Sequence, residues 1–518
     1  MTPQRGWQLT LLSTTQHLRR KPPSNLDPEN LSSEASKALE SLCTIREALL
    51  DETPSAVSFV ERHWDQIWPW VLHFSISSLK EGHRRTQTER GMELVDKLIS
   101  ITPMFFTYRM FHPGDRNLGL ILDATPEVLA FALQMWVMAT AHDHKHTTSQ
   151  CSSFGLLLEC YLAAEDSYKH RAGHYLDIVL NRRKRSVMNG VIQNIIRYAT
   201  PREIRLECLR NVLVILRELA SRFDEGLLVE SLARDGVRWM GYTFRKLSSL
   251  KKRYEPRTHD DISTCLSLCS QYFDICIKYD VAAAVNVIDE NIIPYMFKSW
   301  DILVYDKYHR ERGPTIDLAE KYRRSLNLLS MTVMHRAVLV RLARSIKKVQ
   351  RLDLEKVFDQ DFPSLLHAWV VLRDEVLRRI RIMEMDDSGW YPGTPLCDGI
   401  ERGRMLEGGF PGPTLFDHAF VRKQVRDDYK SRADHISTLK QRRKIDHPNE
   451  GESQVVVIMD YSTVPFVISL EDREVAVKDI LRVGVDSIHE KIVALGVIPK
   501  RIRHDSPAIA MLHSTDIA

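Results

Sequence analysis

The sequence predicts a mainly α-helical protein: an irregular α-solenoid of the armadillo or HEAT kind, with a small C-terminal α/β appendage. Apolar residues recur at steps of three and four between about residues 31 and 385, which is typical of helices that each bury one side. Strand-like alternation is nearly absent there, and the connections are short. About a dozen such helices can bury their apolar stripes by stacking in antiparallel pairs. Because no clean sequence repeat is visible, a compact helical bundle is the alternative.

Composition limits the classes of function. Of 518 residues, 44% are hydrophobic and 27% charged, as in ordinary globular proteins. Lys and Arg number 72 against 68 Asp and Glu, a net charge of +4, which favours neither a dedicated nucleic-acid binder nor a membrane-surface protein. Eight cysteines in so long a chain indicate reduced core residues rather than a disulfide framework. With no secretory signal and no apolar run of about 20 residues, we expect no membrane partner and a cytoplasmic or nuclear location.

The helical domain is predicted to follow a short tail. Residues 1–30 are polar and lack clear periodicity, which predicts a disordered tail. The domain covers 31–385, and its clearest helix start is predicted at Thr200, with a proline in the first turn and Glu203 completing a capping box. The same pattern occurs at Thr125. Other predicted helices cover 33–50, 57–81, 152–170, 175–199, 226–247, 260–279, 282–300, 316–349 and 355–384.

Composition changes after residue 385. Residues 386–415 are rich in glycine and proline, which predicts a linker. Residues 416–502 are predicted to form the α/β appendage, followed by a polar tail at 503–518. The appendage elements are two helices and two strands, predicted at 416–440, 475–495, 455–458 and 464–470. Pro465 places the second strand at a sheet edge.

The most conspicuous candidate site is a histidine cluster. His142, His144 and His146 alternate along the chain, with Cys151 close behind. Imidazole and thiolate ligands suit zinc or copper, so a metal-dependent enzyme built on these residues is one hypothesis. Alternating positions in a loop do not by themselves bring three imidazole rings to one metal ion. A solvated loop between helices is therefore the favoured interpretation. No catalytic, cofactor-binding or metal-ligating residue is therefore predicted.

Two other groups of ligand-type residues have structural explanations. His170 and His174 share a helical face as in zinc proteases, but Arg171 stands where the general-base glutamate is required, which excludes that chemistry. Three cysteines follow one helical stripe with apolar residues, which predicts burial: Cys265, Cys269 and Cys276.

Three runs of basic residues occur, at 182–185, 251–253 and 442–444. The first resembles a nuclear import signal. The second belongs to a basic stretch, 245–257, interleaved with Tyr242, Phe244 and Tyr254, aromatic residues of the kind that stack on bases. Acidic residues elsewhere cancel the overall field, so solvated helix ends are favoured. Nucleic acid stays an alternative partner of that stretch.

Motifs for phosphate binding and for nucleophilic catalysis are missing. The sequence has no Walker or Rossmann glycine loop, no G-x-S-x-G elbow, no EF-hand loop and no C-x-x-C pair. We therefore expect no small-molecule cofactor and a non-enzymatic protein–protein interaction scaffold, with aromatic or Arg anchors exposed between helices. Trp64, Trp68 and Trp70 are candidate anchors, although core packing is the favoured explanation of helical tryptophans.

Four segments carry a family resemblance: 64–74, 416–421, 428–429 and 455–461. They resemble the tryptophan-rich early helix, the helix after the finger and the terminal strands of MYND-type zinc-finger proteins of mushroom-forming fungi. Cys397 resembles the first zinc ligand of the finger, but no cysteine follows it. The resemblance therefore implies interaction without the finger's zinc, either in a natural finger-less paralogue or in a gene model that lost an exon.

Overall fold

The computed structural model describes the helical part of the chain with gaps, and four strands near the C-terminus. The described residues are 3–23, 32–50, 54–85, 125–141, 151, 154–155, 158, 166–222, 225–250, 256–309, 317–352, 355, 362–387, 424–446, 455–460, 467–472, 492–498 and 508–513. They divide into two compact units, Met1–Arg234 and Asp235–Ala518.

The first unit is built from helices. They are α1 (Pro3–Leu18), α2 (Ser33–Leu50), α3 (Pro54–Arg85), α4 (Val128–Ala141), α5 (Asp166–Ala199), α6 (Leu206–Arg222) and α7 (Glu225–Leu232). Helices α1, α2 and α3 pack on one another, and α4, α6 and α7 each pack on α5. Two long helices contain a residue with non-helical backbone angles, His63 in α3 and Arg183 in α5.

Helix α1 corrects the predicted disordered tail, residues 1–30, over Pro3–Leu18; residues 24–30 of that tail lie outside the described ranges. Leu11 and Leu18 lie seven residues apart on one side of α1 and are buried, and the helix packs on α2 and α3. Thr14 and Thr15 are buried between them, and their hydroxyls donate to carbonyl oxygens of the preceding turn at 2.6 and 2.7 Å. Threonines thus fill positions of the helical period that a search for apolar residues alone does not count.

The connection between α5 and α6 corrects the predicted helix start at Thr200. Helix α5 ends at Ala199, and the Thr200 hydroxyl donates to the Ile196 carbonyl oxygen at 2.7 Å. Helix α6 begins at Leu206. Because the residue before a proline disfavours the helical conformation, Pro201 ends one helix rather than opening the next. The apolar stripe predicted for α6 is confirmed by four buried residues: Val212, Ile215, Leu216 and Leu219.

The second unit begins with eight helices in the described ranges. They are α8 (Gly236–Ser248), α9 (Pro256–Tyr279), α10 (Val281–Asp289), α11 (Ile292–Lys298), α12 (Trp300–His309), α13 (Leu318–Ser330), α14 (Arg336–Arg351) and α15 (Pro363–Asp387). Helix α9 packs against α8, α10, α12 and α13, and α15 packs against α13 and α14. The mainly α prediction is thus confirmed in both units, whereas solenoid stacking stays a prediction.

Two predicted long helices are each divided in the structure. The predicted helix 282–300 is interrupted at Asn291, whose φ of 59° lies in the left-handed region that asparagine tolerates better than most residues. The predicted helix 316–349 is interrupted by a turn between Ser330 and His335. Three residues of this turn are buried, so the break between α13 and α14 belongs to the core.

The C-terminal region forms a four-stranded sheet instead of the predicted strand pair. Its strands are β1 (Val455–Asp460), β2 (Val467–Asp472), β3 (Ile492–Ile498) and β4 (Ala508–His513), in the order β2-β1-β3-β4. Strand β1 is antiparallel to β2 and parallel to β3, and β3 is antiparallel to β4. The end position of β2 confirms the predicted edge strand.

Strands β3 and β4 correct two other predictions. Strand β4 lies within the predicted tail 503–518, and β3 begins inside the predicted helix 475–495. Both segments are rich in aliphatic residues, and β3 has the β-branched residues that suit a pleated surface. Within the predicted helix 416–440, residues 424–431 are helical, a turn follows at Arg432, and α16 spans Ala433–Asp446; residues 416–423 lie outside the described ranges. Within the described residues, no helix is both long and apolar enough to cross a membrane.

Candidate functional site

The predicted histidine cluster cannot be placed, because His142, His144 and His146 lie outside the described residues. Cys151, which follows them, is buried, and burial raises the pKa of its thiol. A thiol of raised pKa stays protonated at neutral pH and is a poor metal ligand. Among the described residues, no group of three or more His, Cys, Asp or Glu side chains could hold a metal ion. Cys397 also lies outside the described residues.

The three cysteines of α9 are core residues, as predicted. Cys265, Cys269 and Cys276 are each fully buried. Burial raises the pKa of the Cys269 thiol and raises that of Cys276 to about 12. These thiols are therefore neutral and packed, which suits small hydrophobic residues of a helix interior.

The three tryptophans considered as candidate anchors are buried. Trp64, Trp68 and Trp70 are 6%, 5% and 1% exposed. The indole N–H of Trp64 donates to the Thr125 hydroxyl at 3.2 Å, and that of Trp68 to the Glu127 carboxylate at 2.9 Å. Trp70 donates to two backbone carbonyl oxygens at the C-terminal end of α1. These residues join α3 to α1 and to the start of α4, which confirms core packing.

In the described part of the 245–257 stretch, and just before it, side chains make contacts within the protein. Arg245 forms an ion pair with Glu290, and its Nη1 also donates to the Glu290 carbonyl oxygen at 2.9 Å. Phe244 is buried between the rings of Phe273 and Tyr322, so it is not available to stack on a base. The predicted run 251–253 lies outside the described residues.

A buried polar cluster joins α9 to α13. The Ser325 hydroxyl donates to the Asp274 carboxylate at 2.5 Å and lies 2.9 Å from the Ser270 hydroxyl. Burial raises the pKa of Asp274 to about 6, against the opposing effects of Ser325 and Arg324. A shifted carboxylate can mark a catalytic site, but here its neighbours fix the packing of two helices.

A second buried cluster joins α15 to residues 424–431. The Arg379 guanidinium, 1% exposed, contacts Glu375, the Gln424 side-chain oxygen at 2.8 Å and the Asp428 carboxylate at 3.2 Å. Arg378 pairs with Asp428 at 2.7 Å. Although burial raises it, the two arginines hold the pKa of Glu375 below its ordinary value. The cluster is a structural clasp, which we call the Arg379 clasp.

The first candidate surface is the outward side of α14, called here the α14 face. This helix carries six Lys and Arg residues and no Asp or Glu. Its opposite side is fully buried through Val338, Leu339, Leu342, Ile346 and Val349. Arg344, Lys347 and Arg351 are exposed and lie three and four residues apart, so they form one stripe about 10 Å long.

Two other cations of α14 are used to hold the helix in place. The Arg341 Nε donates to the Asp289 carboxylate at 2.9 Å, and the Lys348 ammonium donates to the Asn291 side-chain oxygen at 3.0 Å. These contacts fix α14 against the residues between α10 and α11. The helix dipole favours cations in the last turn, which accounts for Arg351 but not for Arg344, two turns earlier.

The second candidate surface is the outward side of α5, called here the α5 face. Tyr175 and Ile178 are 42% and 38% exposed. Of the large apolar side chains shown as exposed in the described ranges, only these two share a helix. Arg182, Arg183 and Arg185 are exposed one to two turns further on. The predicted basic run 182–185 therefore lies at the bend of a solvent-facing helix.

The α5 face also contains the predicted histidine pair. His170 and His174 are exposed on α5 with Arg171 between them. Helix α5 carries seven Lys and Arg residues against two Asp residues. Because the chain has a net charge of only +4, α5 and α14 each exceed the charge of the whole protein. Each of these two helices therefore concentrates positive charge that acidic residues elsewhere in the chain offset.

The α14 face was missed by sequence reasoning. The basic runs that were noted are contiguous, whereas the cations of α14 are separated by apolar residues. A charge count for each predicted helix, rather than for each run, would have found it. The α14 face was also hidden by the prediction of one long helix at 316–349, because that range includes Asp317 and Glu320 at the start of α13.

No protein-family model matches this sequence, and no curated protein matches it significantly. A solved crystal structure of an engineered protein from the Northeast Structural Genomics Consortium is similar over 73% of this chain and 96% of its own length. Its sequence identity is 12% and its TM-score 0.25. A likeness at that score carries no argument about function.

Proposed function

We propose that this chain is a non-enzymatic protein–protein interaction scaffold, and that its α14 face binds an acidic segment of a partner protein. The observation that carries the proposal is that α14 has basic residues and no acidic ones. Its exposed side carries Arg344, Lys347 and Arg351, and its opposite, apolar side is fully buried. An exposed ion pair contributes only about 0.2–1 kcal/mol. Several on one rigid face give specificity and speed association.

The size of the α14 face favours an acidic peptide over nucleic acid. Its three outward cations span about 10 Å, which three or four residues of an extended chain cover. Nucleic-acid binding without sequence reading depends on many phosphate contacts, and the net charge of +4 supplies little long-range attraction. A short acidic segment therefore matches this surface better.

Charge reversal of the α14 face tests the proposal. The probe is a fluorescein-labelled oligo-glutamate peptide of about 12 residues, and its anisotropy is measured at about 50 mM salt, where surface charges are weakly screened. We expect Arg344→Glu with Lys347→Glu and Arg351→Glu to weaken binding at least about tenfold, because three attractive pairs become repulsive.

The matched control reverses three exposed cations of α16 in the same unit: Lys440, Arg442 and Lys444. This variant has the same net charge as the α14 variant, so equal loss of binding in both would contradict a specific face. Tighter binding of a single-stranded oligonucleotide than of the peptide would replace the acidic protein segment with nucleic acid. Circular dichroism of both variants checks that the helices are retained.

The enzyme alternative has its own test. Elemental analysis of the purified protein measures bound transition metal, and we expect less than one metal ion per several chains. About one metal per chain that disappears when His142, His144 and His146 are changed to Ala would support a metal site instead. The 245–257 alternative predicts oligonucleotide binding that weakens when Lys251, Lys252 and Arg253 become Ala.

A further inference from the structure

The α5 face combines two kinds of exposed group that the α14 face does not. Tyr175 and Ile178 form an apolar pair one turn apart, and Arg182 and Arg185 follow them along the helix. Exposed single apolar side chains are ordinary. An exposed aromatic and an aliphatic residue side by side, next to arginines, have the composition of an interface centre.

We infer that the α5 face binds an amphipathic, acidic helix of a partner protein. The apolar side of that helix covers Tyr175 and Ile178, and its carboxylates pair with Arg182 and Arg185. Helices recognise grooves and faces through anchors spaced three and four residues apart, which is the spacing of Tyr175, Ile178 and Arg182 ahead of the bend at Arg183, with Arg185 just beyond it. This site belongs to the first unit and uses different chemistry, so it goes beyond the proposed function of the α14 face.

The apolar pair of the α5 face favours this partner over a polyanion. Tyr175 and Ile178 gain free energy only from a partner that offers apolar surface. Asp177, exposed between them in sequence, repels every anionic partner, so the carboxylates of the partner helix pair with the arginines further along α5. An acidic helix with leucines on one side meets these conditions.

The test uses two synthetic peptides and the full chain. One fluorescein-labelled peptide of about 18 residues carries Leu at helical spacing among Glu residues, and the matched peptide has every Leu replaced by Ser. Binding is measured by fluorescence anisotropy. We expect the Leu-containing peptide to bind at least about tenfold more tightly than the Ser-containing peptide, because only the former covers the apolar pair.

Two variants of the chain locate the site. Tyr175→Ser with Ile178→Ser removes the apolar pair, and Arg182→Glu with Arg185→Glu reverses the charges. We expect each to weaken binding of the Leu-containing peptide at least about tenfold. The matched control, Leu12→Ser with Ile445→Ser, removes two other exposed apolar side chains and is expected to leave binding within about twofold.

Several outcomes would overturn the inference. They are no binding of the Leu-containing peptide at millimolar concentration, equal weakening by the control pair, and tighter binding of an oligonucleotide or of phosphatidylserine vesicles that the same arginine changes abolish. Retained peptide binding in the α14 triple variant is expected. Loss of binding in that variant would show that the peptide binds the α14 face. This result would contradict the inference and leave the proposed function unaffected.

Discussion

Helices α5 and α14 are both basic and both bury one apolar side, yet they present their charge differently. In α14 three of the exposed cations, Arg344, Lys347 and Arg351, are spaced three and four residues apart and share one stripe. In α5 four cations are consecutive at 182–185, and consecutive residues point about 100° apart around a helix. Only some of them can therefore serve one partner. Helical spacing, rather than the length of a basic run, determines how much charge a helix face presents.

The largest expected effect comes from making a cavity in the buried apolar side of either helix. Leu342→Ala in the buried side of α14 is expected to lower the free energy of unfolding by about 2–5 kcal/mol, because it leaves a cavity. Leu176→Ala in α5 is the counterpart in the other unit, since Leu176 is also fully buried. Urea titration followed by circular dichroism measures both. Arg344→Ala is the control, and a loss from it above about 0.5 kcal/mol would contradict a purely surface role.

A smaller effect is expected from pH, which changes the stability of the second unit without changing binding to the α14 face. The folded state keeps a proton on Asp274 up to about pH 6, whereas an unfolded aspartate loses it near pH 4, by about two pKa units. The free energy of unfolding therefore falls as pH rises from about 4 to 6 and is level above that range.

Asp274→Asn is expected to remove this fall, which is worth about 2–3 kcal/mol. Denaturation at pH 4.5 and pH 7 measures it, and Asp301→Asn at an exposed carboxylate is the control. Oligo-glutamate binding at pH 7 should be the same in both variants. A fall of equal size in the Asp274→Asn variant would show that another group is responsible.

Salt sharpens the difference between the two faces. Between about 50 and 200 mM salt, binding of oligo-glutamate to the α14 face should weaken about tenfold, because only screened charges hold it. Binding of the Leu-containing peptide to the α5 face should weaken about fivefold, because two arginines rather than three cations pair with it and the apolar contribution does not depend on salt. Anisotropy titrations at both salt concentrations give the two slopes. Equal slopes would mean that as many ion pairs hold the Leu-containing peptide as hold oligo-glutamate, which would contradict binding through Arg182 and Arg185 alone.

The smallest expected effect tests spacing at constant charge. Arg344→Gln combined with Gln350→Arg keeps the number of cations on α14 but moves one off the stripe. Binding of oligo-glutamate is expected to weaken about threefold, the contribution of one exposed ion pair. The single change Gln350→Arg should not weaken it. Unchanged affinity in the exchanged variant would mean that the count of cations matters and their positions do not.

The sequence predicted the class of the fold and several core residues, because those follow from helical periodicity. The burial of Cys265, Cys269 and Cys276 and the structural role of the tryptophans are examples. Helix ends were predicted less well where a residue served a partner elsewhere in the fold. The Thr125 hydroxyl, for instance, accepts from Trp64 ahead of a helix that starts at Val128.

The sequence indicated only part of the two candidate surfaces. The run 182–185 was noted, but its bend at Arg183 and the exposure of Tyr175 beside it depend on tertiary packing. The α14 face needed the break at the turn before Arg336, which is set by buried residues rather than by glycine or proline. The resemblance to MYND-type proteins stays a prediction.

The Arg379 clasp has a consequence for how this chain can change in length. It binds α15, which ends at Asp387, to a helical segment that starts at Gln424, so the two ends of the intervening stretch are held by contacts that do not depend on its length. Doubling a connection adds only about 0.6 kcal/mol of closure cost. We therefore expect both helices to keep their places when residues are added or removed between Asp387 and Gln424.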